Sequence, residues 1–130
     1  MRQIGFRGKS LNSGEWLYGY LSWTNDKMYI TPKDFDRKNL EKYVVIPETV
    51  GQYTGYNDCV GNCIYEGDIV SVNMVDVDVV MRVIFMQGGW KIHEKFNDSL
   101  NDLCYYINWG RVKVIGNMED TPELFDGEEA

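Results

Sequence analysis

The chain has 130 residues, 44% of them hydrophobic and 14% aromatic, and carries a formal charge of −7 from 13 basic and 20 acidic side chains. That length suits one domain or two small subdomains and leaves no room for a large cleft between independent lobes, while the aromatic content is too high for a disordered chain. Glu119, Asp120, Glu123, Asp126, Glu128 and Glu129 place six acids in the tail, so the body up to residue 118 is nearly neutral and its charge disfavours nucleic acid as a partner.

Three cysteines, Cys59, Cys63 and Cys104, form no paired framework, and no apolar run follows Met1-Arg2-Gln3, so a reducing cytoplasm is expected. The longest apolar run, Val77 to Met86, is interrupted by Asp78 and Arg82 and falls short of the roughly 20 residues that span a bilayer. No membrane segment is expected.

In chain order, Ile4 and Phe6 alternate with polar residues and predict a short first strand with one buried face. Asn12-Ser13-Gly14 supplies turn chemistry. In Glu15 to Trp23, Trp16, Tyr18 and Tyr20 share one face and Leu17, Gly19 and Leu21 the other; both are apolar, which predicts a strand covered on both sides. Asn25-Asp26-Lys27 turns it into a hairpin with residues 28–31. The charged segment Pro32 to Lys42 reads as an exposed connector, Tyr43 to Ile46 as a strand, and Pro47 as its end.

The stretch Gly51 to Val70, GQYTGYNDCVGNCIYEGDIV, reads as strand, turn and strand, and the chain is organised around it, with an upstream half 1–55 and a downstream half 56–118. Past it, Ile69 to Val72 is a strand, and Val77, Val79, Met81, Val83 and Phe85 form an alternating set that predicts one uninterrupted buried face. Gln87-Gly88-Gly89 turns the chain into Trp90 to His93. Leu100 and Leu103, behind Asn97, Asp98 and Ser99 as caps, predict one short helical turn; Arg111 to Ile115 is the last strand; Thr121 before Pro122 predicts a capped terminal turn. Nine or ten short strands with turns every ~8–12 residues indicate an all-β fold. The expectation is two small β subdomains sharing a core, with 1–118 as a single domain, 119–130 as an acidic tail, and the second half as a small five-stranded barrel.

Four blocks carry a family resemblance: MRQIGFRGKS followed by GEWLYGYL, then VIPETVGQYTG, then the turn with IYEGDIV, and lastly VIGNMEDTPELF. Occurring in that order over nearly the whole chain, they identify it as similar to the YopX family of phage and prophage proteins. The resemblance implies an all-β fold, a phage or integrated-prophage origin in a bacterium, no established biochemical function and no catalytic residues to carry over. The chain departs from the family at the turn, where Cys59 and Val60 replace the usual lysine and asparagine. Asp58 and Gly61 still supply the turn chemistry.

Reading the residues for chemistry removes most activities. With Gly61 at the sixth position of an EF-hand loop, Tyr56, Val60 and Gly67 fall at ligand positions, so calcium is not expected. Cys59 and Cys63 have no second pair at zinc-ligand spacing and only Cys104 and His93 elsewhere, so no metal is expected. Cysteine nucleophilic catalysis with His93 has no sequence support, and no glycine-rich phosphate loop is present. The pairs Glu66/Asp68 and Asp76/Asp78 each point to one side of a strand, which suits acid–base chemistry but more commonly marks a solvated face or a turn bonding backbone amides.

The reading is therefore not an enzyme and no cofactor, but a self-associating or protein-binding accessory module in the bacterial cytoplasm. The residues singled out are Tyr53, Gly55, Asp58, Gly61, Tyr65, Glu66, Gly67 and Asp68. The alternative is a nucleic-acid-binding small β-barrel that uses Arg2, Arg7 and Lys9 beside exposed aromatics.

Overall fold

The computed structural model describes residues 4–95 and 99–127. The chain is predominantly β and divides into two compact units, Met1–Tyr53 and Thr54–Ala130. One antiparallel sheet has the order β4-β3-β2-β1-β5-β6, and a second the order β10-β9-β8-β7-β11. In the first, the strands are β1 (Phe6–Lys9), β2 (Trp16–Trp23), β3 (Met28–Thr31), β4 (Val44–Val45), β5 (Gly51–Asn57) and β6 (Cys63–Tyr65). In the second they are β7 (Asp68–Asn73), β8 (Asp78–Met86), β9 (Gly89–Glu94), β10 (Ser99–Asp102) and β11 (Val112–Asn117). Among the described residues the α-helices are α1 (Leu103–Ile107) and α2 (Glu123–Asp126).

Within the first unit, β2 and β3 form the expected hairpin, with Leu21 opposite Ile30 and Trp23 opposite Met28. Ile30, Tyr43, Val44, Val45 and Tyr53 are among the buried hydrophobic side chains of this unit. Gly19 sits where no side chain fits: at φ +155° a Cβ there would lie 2.1 Å from the Thr31 carbonyl oxygen. The segment before β4 is the predicted exposed connector, ended by a 3₁₀ turn at Leu40–Tyr43, and Pro47 opens a second one at Pro47–Thr49.

Two expectations for this unit are corrected. The first strand runs from Phe6 to Lys9 and leaves Ile4 exposed, while Arg7 is buried; the aliphatic part of a long cation covers apolar surface as well as an isoleucine does. The β2 strand is not covered on both sides. Tyr18 and Tyr20 are 50% and 61% exposed, and Trp16 is covered by the Arg7 guanidinium and Lys9 ammonium, 4.6 and 5.4 Å from its ring centre. Aromatic alternation marks a strand face; it does not say whether protein or water lies against it.

The second unit packs Ile64, Val70, Val72, Met81, Val83, Ile92, Leu103 and Val112 into one core. Burying these side chains, each worth about 1.5–3 kcal/mol, is its main stabilisation. The predicted barrel is corrected to an open sheet whose edge strands are β10 and β11. The β11 edge is instead bonded by the turn after β5, as described below, which removes the need for closure there. The alternating set is buried only at the centre of β8: Met81 and Val83 are enclosed and Val79 is half-buried, while Val77, ahead of the strand, and Phe85, near its end and edge-on to Trp90 of β9, are exposed.

Ser99 and Leu100 belong to a strand pairing with β9, and the helix starts only at Leu103, so the expected capped turn is displaced; Asn97 and Asp98 lie outside the described residues. At α2 the Thr121 side chain does not cap the helix. Its hydroxyl exchanges hydrogen bonds with the Asn117 backbone, at 3.1 and 3.2 Å, and closes the loop that follows β11. Phe125 of α2 packs over Arg82 and His93, whose side chains are joined by a 3.2 Å hydrogen bond from Arg82 Nε to His93 Nδ1.

Candidate functional site

The Gly51 to Val70 stretch is built by β5, a turn, β6, a second turn and the start of β7. Its centre is Asp58. One carboxylate oxygen accepts backbone N–H groups from Val60 and Asn62 at 3.0 and 2.8 Å, and the other accepts the Val114 N–H of β11 at 2.9 Å. Next to it, Cys59 N–H donates to the Val112 carbonyl at 2.9 Å, so the turn continues the ladder along that edge. Gly61 closes the turn with φ +93°, a left-handed backbone that glycine adopts without strain, and its N–H bonds the Asp58 carbonyl at 3.0 Å.

Burial alone would raise the Asp58 pKa, but the N–H donors of Val114, Asn62 and Val60 outweigh it and hold the carboxyl below the ordinary aspartate range. An acid or base poised for proton transfer near neutral pH is pushed the other way.

Asp68 is likewise committed to the backbone. It is 1% exposed, and its Oδ2 accepts the Tyr65 N–H at 2.7 Å across the Glu66-Gly67 turn. Gly67, at φ +92°, donates its N–H to the Val83 carbonyl and accepts from Met118 N–H, both at 2.9 Å, so it ties the turn into the second unit's sheet. Glu66 is half-buried beside it. Tyr53 is buried, its N–H donating to the Gly5 carbonyl at 2.8 Å, and Gly55 is exposed at φ +88°. Of the eight residues singled out, the structure thus brings Asp58 with Gly61 and Tyr65 with Asp68 into two turn motifs, not into one cluster.

Cys59, Cys63 and Cys104 are all free thiols on the surface. Among the described residues no group of three or more histidine, cysteine, aspartate or glutamate side chains is placed to hold a metal. Burial, reinforced by the neighbouring Cys104 thiol and then Asp102, pushes the Tyr56 phenol up, which keeps it a neutral hydroxyl at physiological pH. Of the cationic trio, Arg2 lies outside the described residues, and Arg7 and Lys9 are stacked on Trp16. A shallow cleft of about 350 Å³ lies at the β2–β3 turn, lined by Trp23, Lys27, Met28 and Pro47 among others. Another of about 280 Å³ in the second unit is lined by Cys59, Ser71, Asn73, Asp78, Arg111 and Lys113.

Sequence reasoning missed the most exposed apolar feature of the second unit, the β7–β8 turn. Met74, Val75 and Val77 are all exposed there, and Val75 adopts φ +70°. The available signal was the absence of glycine or asparagine between Met74 and Asp78, in a turn that had to close on β-branched residues.

Comparison with known proteins agrees with the architecture. No curated protein matches the chain. Among solved structures, the crystal structure of protein EF1440 from Enterococcus faecalis is similar with a TM-score of 0.57 at 18% identity, covering 96% of this chain and 99% of that one, a likeness of fold alone. The profile of the family described as YopX protein matches residues 5–126. With nearly the whole length matched and the expected all-β architecture in place, the chain belongs to the YopX family.

Proposed function

We propose that this chain is a non-enzymatic accessory protein of a phage or prophage that acts through protein contacts, first of all with copies of itself, in the cytoplasm of the bacterial host. The observation that carries this reading is the fate of Asp58 and Asp68, the buried acids of the central stretch, whose carboxylates accept backbone amides. Side chains used in this way brace the fold and have little capacity left for a substrate. The exposed apolar residues of both units, Tyr18 and Tyr20 in one and Val75, Val77 and Trp109 in the other, are the kind of surface that marks association. Sedimentation velocity over a wide concentration range tests the self-association: a mass average rising with concentration is expected, and a strict monomer at the highest concentration contradicts it.

One observation favours a second reading, nucleic-acid binding. Tyr18 and Tyr20 are exposed aromatics on the strand that pairs with β1, where Lys9 lies opposite Trp16, which suits stacking of single-stranded bases. Against it, Arg7 is buried on Trp16 and the acidic tail repels phosphates. A gel-shift with single- and double-stranded DNA and RNA at low salt decides: retardation lost in Tyr18→Ala and Tyr20→Ala supports the reading, and no retardation removes it.

A further inference from the structure

We propose that two copies of this chain associate about a two-fold axis through one end of the second unit, formed by the β7–β8 turn and Trp109. The inference rests on the self-association reading above and names its surface. Its first ground is Val75. A β-branched residue at φ +70° is held in a strained left-handed backbone, a strain that glycine would remove. Nothing buried in the single chain compensates, since Val75 is 75% and Val77 60% exposed. The turn is nevertheless well held, with Met74 N–H bonded to the Val77 carbonyl and Asp76 N–H to the Met74 carbonyl, both at 2.8 Å. An apolar tip is thus kept, at a cost, in a fixed and solvent-facing shape.

The second ground is the aromatic beside it. Trp109, 56% exposed, lies 5.4 Å from the Tyr105 ring and 5.3 Å from the Arg111 guanidinium carbon, centre to centre and centre to atom. Arg111 Nη1 also donates to the backbone oxygen and to Oδ1 of Asn73, at 3.1 and 3.0 Å, at the base of the turn. One guanidinium therefore fixes the indole against the hairpin. Tryptophan and arginine held in this way are the residue types that carry most energy in protein contacts.

The third ground selects the occupant. The patch carries both signs of charge, exposed Asp76 and Asp78 on the β7–β8 hairpin and Arg111 and Lys113 on the β11 side. A surface with an acid at one side and bases at the other is complementary to itself when rotated by a two-fold, because each copy's acid meets its partner's base. A single-signed patch would repel its own copy. A contact made by one turn and one indole gives a weak dimer, with dissociation in the micromolar range or above.

Sedimentation velocity of the full chain and its variants provides the test. Val75→Asp and Trp109→Ala each raise the dimer dissociation constant about tenfold or more. Val75→Gly, which removes the strain and the apolar branch together, raises the melting temperature while weakening the dimer, a pair of effects that a folding defect cannot produce. Asp76→Lys weakens the dimer, and adding Lys113→Glu to the same chain restores it to within about threefold of the parent. If the parent associates and Val75→Asp, Val75→Gly and Trp109→Ala associate equally well, this surface is overturned and the self-association reading stands. If the parent is a strict monomer, both fall.

Discussion

Two turns of the second unit solve the same problem in opposite ways. The turn at Asp58 satisfies its backbone with a buried carboxylate, places glycine where φ is positive, and bonds the edge of β11. The turn at Val75 places a valine where φ is positive and leaves Met74, Val75 and Val77 exposed. In the first, local sequence preference, hydrogen bonding and fold all agree, as they do where a segment is shaped by stability. In the second they disagree, and such disagreement is a pointer to association or recognition. The most conspicuous motif of the chain is therefore its brace, and a less conspicuous turn is the better candidate for contact with another molecule.

Substitutions that separate the two turns sharpen this contrast. The largest effect is expected at Asp58: Asp58→Ala leaves the Val60, Asn62 and Val114 N–H groups without their acceptor and lowers unfolding free energy by about 3 kcal/mol, read from urea denaturation. Gly61→Ala meets no atom within 4 Å of its Cβ, so only the backbone conformation is penalised, and a loss of about 1–2 kcal/mol is expected in the same assay. At the other turn the sign reverses. Val75→Gly gains about 1 kcal/mol of stability, seen as a melting temperature a few degrees higher. Smallest is Glu66→Gln, for which a change within about 0.5 kcal/mol is expected; a large loss would mean that the Glu66 charge is part of the brace.

Much of this was legible in the sequence because periodicity and turn residues report local geometry directly. The β2–β3 hairpin, the Gly51 to Val70 strands and turns, and the strands around Gln87-Gly88-Gly89 all follow from alternation and from glycine, asparagine and aspartate at the reversals. The misplaced features depend on what lies against a residue. Arg7 reads as a surface cation, yet is buried on Trp16; Tyr18 and Tyr20 read as a covered face, yet meet solvent; Thr121 reads as a cap, yet bonds Asn117. Opening of the expected barrel has the same origin. The β11 edge is bonded by Cys59 N–H and the Asp58 side chain, through contacts more than 50 residues apart in sequence that no local pattern encodes.

The pH dependence of the Asp58 contribution tests the central claim most directly. Because the folded-state pKa lies below the unfolded value of about 4, the stability supplied by the carboxylate is fully present above that value and is lost as pH falls through the folded-state pKa. Urea denaturation of the parent and of Asp58→Asn between neutral pH and about pH 3 is the measurement. If the carboxylate braces the turn, the stability difference is large at neutral pH and shrinks steadily on the acid side. A variant as stable as the parent at neutral pH, or a difference that stays constant throughout, would contradict the account.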